Sequence, residues 1–187
     1  MFLICDVLTW LWCLCVVSDH NPFAHTDFGY LFENKHGNSW GDWFTFTFIW
    51  GYMAGINGLA GHELIHKKDP VNKMLGMFTY TKILYSHFLL EHSNGHHRNV
   101  ATPDDSASAR KNENFYSFAL RSAYGGHRNT FMREIARIKS EHNEFEDGKE
   151  PSLFAYIVEN RINWFFVLHL LIVSVIYFVL GWRAVLF

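Results

Sequence analysis

Residues 164–182 (WFFVLHLLIVSVIYFVLGW) contain no charged side chain and are bracketed by Trp164 and Trp182. A helix of that length rises about 28 Å, close to the hydrocarbon thickness of a bilayer, and tryptophans favour both of its interfaces. The run is read as a membrane span, and it sets the class of the whole chain. Residues 43–61 (WFTFTFIWGYMAGINGLAG) supply a second span, in which Gly51, Gly55 and Gly58 would let another helix approach closely. Residues 1–18 (MFLICDVLTWLWCLCVVS) supply a third, since they lack the basic start and small-residue cleavage site of a secretory signal. Asp6 is the only charge in that block, and all three cysteines (Cys5, Cys13, Cys15) fall there, which suits buried thiols better than a disulfide framework. Only 18% of the 187 residues are charged, against about 25% in soluble domains. A net charge of −2 argues against a nucleic-acid partner. The expected fold is all-α, a multi-pass transmembrane helical bundle with a helical cytoplasmic region, built as one domain over 1–187.

Charge sets the expected orientation. Of the 16 lysines and arginines, 14 lie in 62–161, whereas 19–42 hold Lys35 against Asp19, Asp27, Glu33 and Asp42. The positive-inside rule puts 62–161 in the cytoplasm and 19–42 outside, with Lys67, Lys68, Lys73 and Arg161 beside the spans weighing most. Residues 74–90 (MLGMFTYTKILYSHFLL) are apolar too, but Thr79, Lys82 and Ser86 would line one helical stripe. That pattern predicts an interfacial or re-entrant helix rather than a lipid-facing span. In the polar stretch 91–160, Gly125-Gly126 predicts a break, with a charged helix from about Asn129 to Glu144 ended by Glu146-Asp147-Gly148.

Twelve histidines stand out, and two clusters hold five of them. In His62-Glu63-Leu64-Ile65-His66 the i, i+4 spacing puts both imidazoles on one helical face, where they can share a metal. Glu91-His92-Ser93-Asn94-Gly95-His96-His97 repeats that spacing at His92 and His96 and adds His97. His20, His25, His36, His127, His142 and His169 lack such spacing and read as loop, surface or packing residues, while His87 lies near enough to the second cluster to support it. His-Glu-x-x-His also matches zinc metallopeptidases, with Glu63 as general base. That reading leaves His92, His96 and His97 idle. Five imidazoles exceed one mononuclear site, and a two-metal centre that activates oxygen uses them better.

The stretch from Gly61 through His62, Glu63, Leu64, Ile65, His66 and Lys67 to Lys68 closely resembles the integral-membrane alkane 1-monooxygenases, as does Glu91 to Pro103 (EHSNGHHRNVATP). These belong to the histidine-box superfamily of membrane fatty-acid desaturases and hydroxylases. The resemblance continues through Asp105, Ala107, Arg110, Glu113, Tyr116, Phe118 and Arg121. Val100-Ala101-Thr102-Pro103 points to the alkane hydroxylase branch, because a desaturase's second box is usually one residue shorter. The resemblance implies a cytoplasmic centre of two non-haem iron ions with His62, His66, His92, His96 and His97 among the ligands. It also implies a rubredoxin-type electron donor, O2, and an apolar alkane-like substrate taken from the lipid bilayer and oxidised at a terminal C–H bond.

Two family features are absent: a third box of the form HxxHH and a further histidine in an EHYG-like segment. Asp105-Ser106-Ala107 stands where the family usually has Asp-Pro-Ala. Five histidines do not fill two irons in the family's way, so the chain is expected to be a truncated, inactive portion of a larger enzyme or to be completed by a second chain. The alternatives are a related fatty-acid or aryl-methyl hydroxylase or desaturase, a membrane zinc metallopeptidase, and a non-catalytic membrane protein.

Overall fold

A computed structural model describes residues 2–18, 40–145 and 149–186, and every regular element among them is helical. His20, His25, His36, the charges of 19–39 and the helix-ending Glu146-Asp147-Gly148 lie outside the described residues. The helices are α1 (Phe2–Val17), α2 (Trp40–Ile65), α3 (Pro70–Thr81), α4 (Phe88–Glu91), a π-helical turn (His92–His96), α5 (His97–Asn99), α6 (Phe115–Phe145), α7 (Leu153–Val158), α8 (Arg161–Leu180) and α9 (Trp182–Leu186). They group into two units, residues 1–84 with 169–187, and residues 85–168. Among the described residues, α8 is the one helix both long and apolar enough to cross a membrane. The 16 residues of α1 rise about 24 Å, short of a straight crossing.

In the first unit, α2 and α3 pack closely, but not through the expected glycines. A Cβ at Gly51, Gly55 or Gly58 would meet nothing within 4 Å. The contact lies at Gly61 and Gly76: a Cβ on Gly76 would come 2.7 Å from Ile65 Cγ2 and 2.8 Å from the Gly61 carbonyl oxygen. Tyr80 Oη closes the same seam by donating to the Gly58 carbonyl at 2.8 Å. Gly76→Val is expected to force the helices apart and cost about 1–3 kcal/mol, read as a lower thermal midpoint in detergent with helicity retained.

The run 74–90 is not one helix. Asp69 caps α3 by accepting from the Asn72 amide at 2.9 Å, and Pro70 opens its first turn. The helix stops at Thr81, and Leu84 adopts a left-handed φ of 57°, which a branched side chain rarely takes. Thr79, Lys82 and Ser86 are all buried, although they share no helical stripe. The turn replaces the stripe because Lys82 has a buried partner: its ammonium reaches Asp6 of α1, which also accepts from Asn57 Nδ2 of α2.

The second unit is organised on α6, whose 31 residues run straight through Gly125-Gly126. The predicted break fails because the two glycines are needed for contact rather than for a turn. A Cβ at Gly125 would sit 2.7 Å from Ser106 Cβ, and one at Gly126 would sit 3.3 Å from Glu91 Cγ. Gly126, Thr130, Glu134 and Ile138, four residues apart, form the buried face. Glu134 is the polar centre of that face, gripped by Arg161 at 2.5 and 2.9 Å and by Arg137 at 3.2 Å, and it also accepts from the Arg161 amide. Burial pushes its carboxyl up, but the bonds from Arg161 and Arg137 outweigh it and bring the pKa from 4.5 to about 2. A folded value below the unfolded one means a contribution fully present above about 4.5 and lost as pH falls toward 2. Helix stability in detergent should therefore fall across that window, and Glu134→Gln should flatten the dependence.

Candidate metal centre

The helix ends place the histidines. α2 finishes at Ile65, so His62 sits in its last turn and His66 just beyond it. Their Nε2 atoms are 3.3 Å apart, with ring centroids at 4.7 Å and planes nearly perpendicular. Two nitrogens each about 2.1 Å from one ion stand roughly 3.0–3.4 Å apart, for angles between octahedral and tetrahedral. The pair fits a shared metal. Glu63 is exposed and lies 3.6 Å from His62 Nδ1, the nitrogen that does not face His66. A peptidase base would have to reach a water on the Nε2 side.

In the second unit, the box is wound differently from the expected i, i+4 pattern. The His97 amide donates to the His92 carbonyl, an i, i+5 bond that makes His92–His96 a π-turn. The wider turn brings His92 and His97, not His92 and His96, to the shortest nitrogen separation: Nε2 to Nε2 is 3.0 Å. That distance again fits two ligands of one ion. π-turns are rare and gather at functional sites. A Cβ at Gly95 inside this one would meet the end of the Arg133 side chain from α6, so a larger residue there would displace that guanidinium.

His96 stacks at 5.4 Å on His92 and turns its Nδ1 to Asp105 Oδ2 at 2.9 Å. Asp105 is buried and also accepts from Ser108 Oγ at 2.5 Å and from the Ala107 amide at 3.0 Å. Burial pushes its carboxyl up, yet the bonds from Ser108, Ala107 and His96 more than reverse this and hold it below the usual carboxylate value. An ionised Asp105 only accepts, so in the neutral imidazole His96 Nδ1 carries the proton, which leaves the Nε2 lone pair for a metal. Carboxylates commonly orient metal-ligating histidines in this way.

The loop bearing Asp105 is clamped in turn. Arg121 forms a two-pronged pair with Glu113 at 2.7 Å on each prong and donates to the Ser106 and Ser108 carbonyls at 3.1 and 2.8 Å. Of the residues that extended the resemblance past the boxes, Asp105, Ala107, Arg110, Glu113 and Arg121 thus hold one another or the loop between them. Glu91 is buried beside this loop, with Ser106 Oγ 3.5 Å away; burial and the nearby Asp105 charge push its carboxyl up. His87 packs edge-on against His127 at 4.9 Å, an imidazole pair that linear spacing did not reveal.

Residues 38–187 match the family model described as fatty acid desaturase, and the chain belongs to that family. Within it, the similarity falls on the alkane hydroxylases that the two boxes resemble. The alkane 1-monooxygenase of Pseudomonas putida is 32% identical over 147 residues, which is 75% of this chain and 37% of that protein. Alkane 1-monooxygenase 1 of Alcanivorax borkumensis is 34% identical over 134 residues, 68% of this chain and 33% of its own length. The alkane 1-monooxygenase of Ectopseudomonas oleovorans reaches 44% over 73 residues, 37% of this chain and 18% of that one. The chain spans about a third of the length of the first two relatives.

Proposed function

We propose that this chain contributes the first two histidine boxes of a non-haem di-iron monooxygenase that oxidises a terminal C–H bond of an alkane-like substrate. The observation that carries the reading is the pair of Nε2 separations, 3.3 Å at His62 and His66 and 3.0 Å at His92 and His97, within the residues 38–187 that match the family model. His62, His66, His92, His96 and His97 would hold the metal. Iron bound there would supply O2 activation and the oxidising power for the C–H bond.

The chain's own residues do the positioning. Asp105 fixes the His96 ring and keeps its proton on Nδ1, and Arg121 and Glu113 hold the Asp105 loop. In this reading α8, α1 and α2 lie in the bilayer, which supplies the apolar substrate, and the boxes face the cytoplasm. There a rubredoxin-type donor would deliver electrons. Five histidines form a partial ligand set for two irons.

The test is metal retention by the purified chain loaded anaerobically with ferrous iron. Iron should be held, and should be lost in His92→Ala and His97→Ala with helicity unchanged. Retention that ignores both substitutions would overturn the metal reading. Two irons held tightly per chain would overturn the partial set.

A further inference from the structure

In the second unit, α5, α6 and the start of α8 border a groove of about 600 Å³. Four guanidiniums line it: Arg98 from α5, Arg133 and Arg137 from one face of α6, and Arg161, the first residue of α8. Among the described residues Glu134 is the one carboxylate in that wall, and its oxygens are already taken. They accept two bonds from the Arg161 side chain and two from Arg137. Arg137 is tied further to Glu141 at 2.6 Å.

The other guanidiniums have donors to spare. Among the described residues Arg98 is exposed and makes neither a hydrogen bond nor an ion pair. Arg133 makes none either, and its Nη1 is buried without a partner; buried Glu91 feels its charge but does not bond to it. Arg161 gives Nε and Nη2 to Glu134 and keeps Nη1. Ser93 and Asn94 of the π-turn add a hydroxyl and an amide to the same wall. Guanidinium forks with free N–H groups match the several oxygens and the charge of a phosphate. The position of the groove favours a lipid headgroup as its source. Arg161 opens the one described helix long and apolar enough to cross a membrane. Trp164, one turn on, donates its indole N–H to the Val158 carbonyl at 2.6 Å. Tryptophans favour the membrane–water interface, so 161–164 mark the level of the headgroups. Basic pockets beside a span suit anionic headgroups at that level.

We propose that this groove binds the phosphate of an anionic phospholipid, with Arg98, Arg133 and Arg161 as its donors. The proposal rests on reading α8 as a membrane span and does not depend on the metal reading.

Fluorescence anisotropy tests it on the full chain in detergent micelles, with phosphatidic acid and phosphatidylcholine carrying the same labelled acyl chain. Both lipids have a phosphate, but choline covers it with a cation that the guanidiniums repel. Phosphatidic acid should bind at a roughly tenfold lower mole fraction, the effect of one charge-assisted hydrogen bond. Arg98→Gln with Arg133→Gln should bring the two lipids to parity with helicity unchanged, since neither side chain bonds to the protein. Lys111→Gln with Arg128→Gln removes the same charge outside the groove wall and should keep the preference. Inorganic phosphate and polyglutamate at matched concentration should leave the labelled lipid bound. Equal binding of both lipids by the wild type would overturn the proposal. So would a preference that survives loss of Arg98 and Arg133, or one that disappears with Lys111 and Arg128. Displacement by inorganic phosphate would assign the groove to a free anion, and displacement by polyglutamate to an acidic protein; either overturns it. Flotation with neutral phosphatidylcholine vesicles tests the span separately. A chain that fails to float refutes the membrane reading and the proposal together, whereas one that floats without preferring phosphatidic acid refutes the site alone.

Discussion

Replacing Asp105 by Asn is expected to weaken metal binding by the chain about 10- to 100-fold, the usual loss when a carboxylate behind a metal-bound histidine is removed. The two oxygens of Asp105 have different duties. Oδ1 accepts from the Ala107 amide, and Oδ2 accepts from Ser108 Oγ and faces His96 Nδ1. The Ala107 amide can only donate, so an asparagine must keep its oxygen on that side and present its NH2 to His96. Ser108 can rotate its hydroxyl to accept, but His96 must then accept at Nδ1 and carry its proton on Nε2, where it has no lone pair for a metal. The fold should survive, because Arg121 still holds the Ser106 and Ser108 carbonyls. Titration with ferrous or cobalt ions, monitored alongside helicity, separates the two effects. Unchanged affinity in Asp105→Asn would remove His96 from the ligand set.

Much of this site was legible in the sequence, for a simple reason. The i, i+4 spacing of His62 and His66 acts through local helix geometry alone, and the structure brings their nitrogens to 3.3 Å. The second box was harder, because the winding of its turn decides which histidines meet. Only a π-turn pairs His92 with His97, and the linear spacing does not announce that turn, whose Gly95 lies beneath Arg133, a residue of α6 distant in sequence. Gly125-Gly126 misled for the same kind of reason. Local propensity reads two glycines as a break, but tertiary contact with Ser106 and Glu91 requires residues without a side chain there, and the helix continues. Asp105 was visible only as part of a resemblance; its role follows from where its loop folds back.

The pairing of Asp6 with Lys82 had a signal that linear reading passed over: one acid alone in the first apolar block and one base alone in the run 74–90. Lone charges of opposite sign in apolar segments are costly unless they meet. Here they do, with side chains 6% and 2% exposed. This geometry yields the second large expected effect. Lys82→Met alone should destabilise the chain by about 3–5 kcal/mol, because among the described residues it leaves buried Asp6 with only Asn57 to answer its charge. Asp6→Asn alone should cost a similar amount by stranding the ammonium. The double variant Asp6→Asn with Lys82→Met should recover most of the loss, since an uncharged pair of similar shape no longer has a desolvated charge to stabilise. Denaturant midpoints in detergent for the four proteins close a double-mutant cycle. A coupling near zero would mean that the two charges find water or lipid headgroups when separated. A coupling of several kcal/mol would mean that the pair is dry and that α1 is tied through Asp6 to the turn where α3 ends.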